Sequence, residues 1–196
     1  SYVISTQNLD RDAGDTVSKV LSDSSLGIKK IFTNGGNQYS ALTSAGKVIS
    51  WGSSNFNTQH GYSHNNGASE QLQSGVVDIV SSSASYAALK DDGTVVVWGD
   101  EHGGRYAITR PYGHKNPELH TDLSDQIGPN ASDDLSPIVQ IQANQGAYAA
   151  LREDGSVYTW GSRSAGADPE ESKNHLKKNI ISIISSKGAF AALSNE

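Results

Sequence analysis

Short apolar stretches recur along this chain, each bounded by Gly, Asp, Asn or Ser. IKKIF begins at Ile28, VVDIV at Val76, IVQIQ at Ile138 and IISII at Ile180. Alternation of apolar and polar positions predicts strands with one buried and one polar face, and IISII is the most continuously apolar of the four. A second pattern follows the first three. It reads QYSALTSAGKVISWG from Gln38 to Gly52, SYAALKDDGTVVVWG from Ser85 to Gly99, and AYAALREDGSVYTWG from Ala147 to Gly161. Each predicts an aromatic-Ala-Leu strand, a tight turn, and a Val-rich strand that closes on Trp-Gly. Asp92-Gly93 and Asp154-Gly155 are hairpin signals, because glycine adopts φ > 0 without steric cost, and Gly46 holds the same place in the first copy.

The spacing makes these segments copies of one unit. Trp51 and Trp98 are 47 residues apart, Trp98 and Trp160 are 62 apart, and Leu151 and Leu193 are 42 apart. Multi-strand units with a period of about 40–50 residues predict propeller blades rather than helical solenoids. The long interval marks an insertion between Gly99 and Pro137. The expected organisation is a single all-β repeat domain over 1–196. Its units are approximately 28–75, 76–137 with the insertion 100–134, 138–179, and 180–196 completed by 1–27.

The two ends suggest how the last unit is completed. AFAALSNE, from Ala189 to Glu196, has the Ala-Leu strand but no Trp-Gly strand, whereas SYVIS at the N-terminus resembles the VIS that precedes Trp51. One reading pairs Tyr2–Ser5 with Phe190–Leu193, which would remove two exposed strand edges. The other is a piece cut from a longer repeat array, since small repeat counts need neighbours or caps.

Composition supports the all-β reading. Of 196 residues, 20 are Gly, charged residues make up 18%, and helix-favouring runs are scarce. The net charge of −6 argues against nucleic acid as a partner, because phosphate binding needs a basic stripe. No apolar run is long enough for a membrane-spanning helix. Absence of Cys excludes disulfides and thiolate metal sites.

The units resemble RCC1-type repeats. The first carries the fullest match: Gly35-Gly36, then Tyr39-Ser40-Ala41-Leu42-Thr43, Gly46, Val48, Trp51-Gly52, Asn55, Gln59 and Gly61, with Asn57 where the family has its second glycine. WD40 repeats differ in placing Asp after the Trp. Ser74–Asp100 is closest in flavour to bacterial members such as β-lactamase inhibitory protein II. The resemblance implies a β-propeller that binds partners through loops on one face. It also implies about seven blades, of which four are present here. A homodimer completing a larger ring is one way to meet that difference, and the bacterial resemblance implies a secreted, surface or effector-type setting.

Recurring Trp51, Trp98 and Trp160 fit packing between units better than ligand stacking. The Ala pairs fit crowding of inner strands around an axis. Candidate function falls instead on two loops. Ser53–Gly67 offers Phe56, His60, Tyr62 and His64. The insertion Asp100–Asp134 offers Arg105, Tyr106, Arg110, Tyr112 and His114. Loops this long without secondary structure are usually functional or disordered, and their Tyr and Arg content matches interface hot spots. The expected partner is another protein. Glycan recognition by a surface adhesin, through exposed Tyr, Asn and His, is a second reading. An enzyme with an unrecognised site is a third, although no nucleophile elbow or paired-carboxylate motif is present. No cofactor is expected. His60 and His64 are read as exposed loop residues rather than metal ligands, because Gly61 interrupts the helix that their spacing would require.

Overall fold

In the computed structural model the described residues are 25, 27–34, 38–52, 68–83, 85–99, 136–167 and 175–195. They form four small antiparallel sheets in chain order. The first contains β1 (Ile28–Thr33), β2 (Gln38–Thr43) and β3 (Val48–Gly52). The second contains β4 (Val76–Ser81), β5 (Ser85–Lys90) and β6 (Val95–Gly99). The third contains β7 (Ile138–Ala143), β8 (Ala147–Arg152) and β9 (Val157–Gly161). The fourth contains β10 (Ile180–Ser185) and β11 (Phe190–Ser194). In each three-stranded sheet the Ala-Leu strand is the middle one. One helical turn, α1 (Ala68–Gln71), and 3₁₀ turns at Arg163–Ala165 and His175–Lys177 lie in the connections.

The hairpins match the expected register. Tyr39 stands opposite Trp51, Tyr86 opposite Trp98 and Tyr148 opposite Trp160. Gly46, Gly93 and Gly155 all have φ between 74° and 80°, the left-handed region that the turn demands. Each also touches the next unit: an added Cβ would lie 3.1 Å from the Val76 nitrogen at Gly46, 3.1 Å from the Ile138 nitrogen at Gly93, and 3.1 Å from the Ile180 nitrogen at Gly155. These glycines therefore serve both the hairpin and the junction between units.

The first strand of every unit departs from simple alternation. Its register slips after the first residue, between Ile28 and Lys30, Val76 and Asp78, Ile138 and Gln140, and Ile180 and Ser182. Each slip inserts one extra residue, a β-bulge, at Lys29, Val77, Val139 and Ile181. The bulge turns these side chains outward, so all four are exposed although three are aliphatic.

The core lies between units. Val76, Ile79, Tyr86, Ala88, Val96 and Trp98 of the second unit pack with Leu42 and Val48 of the first. Ala87, Leu89, Val95 and Val97, from the opposite side of the second unit, pack with Ile138, Ile141, Tyr148, Ala150 and Trp160 of the third. Ala149 and Leu151 of the third unit pack with Ile180 and Ile183 of the fourth. The Ala pairs of the second and third units thus each face two neighbours, one residue to each side, and the small side chains let both approach. The strands that lead one unit onto the next are the first strands: β4 packs on β1 and β2, β7 on β4 and β5, and β10 on β7 and β8.

Candidate partner-binding rim

The three long connections leave from one kind of place. By register, the ends of β3, β6 and β9 stand beside Gln38, Ser85 and Ala147, at the end of each sheet away from its hairpin turn. The chain re-enters at Val76, Ile138 and Ile180, next to the hairpin turns, where each first N–H donates to a turn-glycine carbonyl of the preceding unit. These bonds are Val76 to Gly46 (3.0 Å), Ile138 to Gly93 (3.1 Å) and Ile180 to Gly155 (3.0 Å). The departure and re-entry points of every connection therefore lie at opposite ends of the sheets.

The exit rim is locked by buried polar bonds across the junction. Tyr148 Oη lies 2.7 Å from Ser85 Oγ and accepts from the Ser82 N–H at 3.3 Å. Ser82 Oγ lies 2.8 Å from Ser85 Oγ. Burial pushes the Tyr148 phenol up to about 12, against the opposing hydrogen bonds of Ser82 and Ser85. Tyr86 repeats the arrangement one unit earlier. Burial raises its phenol well above the ordinary range, while bonds to the Asn34 backbone and Ser40 pull the other way. Behind each tyrosine lies its tryptophan, stacked at 5.3 Å and 13° for Tyr86–Trp98 and at 5.1 Å and 10° for Tyr148–Trp160. Trp98 and Trp160 are buried, and neither indole N–H has a hydrogen-bond partner. That fits packing rather than recognition by exposed rings.

At the third junction the fourth unit has Phe190 where the others have Tyr, and the hydroxyl is lost. Asn144, the equivalent of Ser82, is used differently. Its Oδ1 accepts from Gly146 N (3.1 Å) and Ala147 N (2.9 Å), and its Nδ2 donates to Ala165 O at 2.7 Å. Ser162 N donates to Gly146 O at 2.7 Å. The connection after β9 is thereby fastened to the rim.

The opposite end is held by Asx turns. Asp92 Oδ1 accepts from Thr94 N (2.9 Å) and Oγ1 (2.6 Å). Burial alone would raise its pKa, but the Thr94 bonds and the Lys90 charge hold it below the usual carboxylate range. Asp154 Oδ1 likewise accepts from Ser156 N at 2.8 Å. Both acids expected as turn residues are accounted for by their hairpins.

Phe56, His60, Tyr62, His64, Arg105, Tyr106, Arg110, Tyr112 and His114 all lie outside the described residues, as does the Tyr2–Ser5 segment. What the described residues give is the frame from which both loops depart: Gly52 and Ala68 for one, Gly99 and Ser136 for the other. Sequence reasoning did not find the Ser82–Ser85–Tyr148 bond. Its only signal was the recurrence of Tyr at a buried hairpin position.

No family model matches the chain. Over 134 residues, 64% of its length, it is 29% identical to the human E3 ubiquitin-protein ligase HERC2, and the Mus musculus protein aligns over the same span at the same identity. This joins the repeat motif to the four-sheet architecture. Together they support an RCC1-like repeat architecture for this chain. In fold, its RCC1-like units are similar to human WBSCR16 (TM-score 0.55, 16% identity), covering 86% of this chain and 45% of that one. They are also similar to the ectodomain of the Physcomitrella patens receptor kinase CR4 (TM-score 0.50, 18% identity), covering 86% and 38%. The chain spans only 3% of HERC2 and less than half of WBSCR16. Among the described residues no helix is long and apolar enough to cross a membrane.

Proposed function

We propose that this chain is a non-catalytic protein-binding module whose contact surface is carried on residues 53–67 and 100–134. One observation carries the reading: both segments leave adjacent RCC1-like units from equivalent positions, after the Trp-Gly ends of β3 and β6, at a rim locked by buried tyrosine bonds. Rigid scaffolds that hold variable loops side by side are the usual architecture of recognition surfaces. Phe56, His60, Tyr62 and His64 on one loop would adjoin Arg105, Tyr106, Arg110, Tyr112 and His114 on the other. Tyr and Arg give large contact area and directional hydrogen bonds. An inhibitory or effector role is the finer form of the proposal, in which the two loops cover a partner's working surface.

The Ser82–Ser85–Tyr148 cluster does not favour catalysis. It is buried, and its phenol stays protonated at neutral pH. The ligase activity in HERC2's name belongs to a far larger protein, of which this chain spans 3%.

The test begins with binders selected from a displayed protein library against the 196-residue chain. The triple variant Tyr106→Ala, Arg110→Ala, Tyr112→Ala should lose at least ~10-fold in affinity with an unchanged Tm, on the scale of hot-spot truncation. Unchanged affinity would remove these loops from the surface. A glycan array that shows saturable binding, with no protein binder found, would replace the proposal with glycan recognition.

A further inference from the structure

We propose that the face formed by β10 and β11 is one half of a unit-to-unit junction, and that the β1 end of a second copy of this chain supplies the other half, joining copies head to tail. The chain contains the same junction three times. In each, the first strand of one unit packs on the first two strands of the unit before it, and a turn-glycine carbonyl accepts the first N–H of the arriving strand. The receiving leucine is covered each time. Leu42 is 2% exposed, Leu89 6% and Leu151 4%, but Leu193, their equivalent in the fourth unit, is 61% exposed. Ile184 is also exposed, whereas its equivalents Phe32 and Val80 pack into junctions.

The other end shows the complementary deficit. The arriving pairs Val76/Ile79, Ile138/Ile141 and Ile180/Ile183 are all buried, and their first-unit equivalents Ile28 and Ile31 are only half-buried. The molecule therefore carries both halves of a contact that it makes internally three times. Polar groups agree. The third residue of each first strand reaches across a junction where it can: Lys30 Nζ lies 3.7 Å from Asp78, and Gln140 clamps the Ile183 backbone. On the β10–β11 face and at the β1 end the corresponding residues are Ser182 and Lys30, a pairing that would bring no like-charge conflict. The contact is heterologous, so two copies can satisfy both junctions at once.

The test is mass in solution by light scattering across a concentration series of the full chain, with Leu193→Asp and Ile28→Asp and with circular dichroism to confirm folding. The expected result is a concentration-dependent mass above that of one chain, with each substitution raising the dissociation constant at least ~30-fold because a charge would be buried at the contact. Mixing the two variants should restore association, since one copy's intact β1 end meets the other's intact β10–β11 face. A chain that stays monomeric at every concentration overturns the proposal. So does association that survives Leu193→Asp, or a mixture that fails to associate, which would instead mark an isologous strand-edge contact.

Discussion

The phenol of Tyr148 crosses from the third unit to the second and lies 2.7 Å from Ser85 Oγ, inside a largely apolar junction of Ala, Val, Leu, Ile and Trp160. It fixes the angle at which two sheets meet, because an apolar contact alone is not directional and a buried hydroxyl without a partner is costly. Tyr148→Phe keeps the ring and its stack on Trp160. The fourth unit already has Phe190 at this position. We expect a loss of about 1–2 kcal/mol, the range for a buried neutral hydrogen bond, read as a lower midpoint in urea unfolding at unchanged slope.

The same tyrosine gives the fold an alkaline limit. Its folded-state phenol is raised to about 12 by burial, whereas an unfolded tyrosine titrates near 10. The folded state thus favours the protonated form. Its contribution is fully present below pH ~10 and is lost as pH rises from there through about 12. Stability measured between pH 9 and 12, on the scale of those same tyrosine values, should fall with pH, and the fall should be shallower in Tyr148→Phe. A residual slope is expected, because Tyr86 is raised in the same direction.

Gly155 combines φ of 80° with an Asn179 nitrogen 2.7 Å from where a Cβ would stand. Gly155→Ala should cost at least ~2 kcal/mol through left-handed strain and the forced parting of the third and fourth units. Gly188, with nothing within 4 Å of the same position, is the control. Gly188→Ala should stay within ~0.5 kcal/mol. Equal effects would mean that the glycine is not holding the junction.

Two junctions use the same strand position with different chemistry. Gln140 donates to Ile183 O at 2.9 Å and accepts from Ile183 N at 3.0 Å, while Lys30 and Asp78 form an exposed ion pair at 3.7 Å. Gln140→Ala leaves backbone groups unpaired in a partly buried site and should cost about 1–3 kcal/mol. Asp78→Ala should change stability by no more than ~0.5 kcal/mol, and less at high salt. Thermal unfolding at two ionic strengths would check both.

Much of this was legible because the signals are local. Asp92-Gly93 and Asp154-Gly155 specify hairpins from within four residues. Copies of a pattern with Ala-Leu in one strand and Trp-Gly in the next fix strand boundaries and pairing register together. Trp98 and Trp160, read as packing residues from their recurrence, are buried. The bulge was not legible. Val77 and Ile181 are aliphatic, and the slip in pairing against β5 and β11 turns them to solvent. The alternation rule assumes an unbroken pleat, and one extra residue reverses which face a side chain occupies. The proposed contact residues of both loops remain a reading of composition, since residues such as Tyr106 and Arg110 lie outside the described residues and only their points of departure are placed.

The sequence by itself determined the repeat, the four-unit count, the hairpin turns and the all-β class, because each follows from periodicity and backbone preference over a few residues. The tertiary structure decided which faces those units share. Tyr148 meeting Ser85 across 63 residues of chain, Gly155 meeting Asn179, and Leu193 standing exposed where Leu151 is buried all depend on how one sheet stacks on the next. Stacking is set by side-chain packing between segments far apart in the chain, and no local pattern encodes which copy of a repeat is left uncovered.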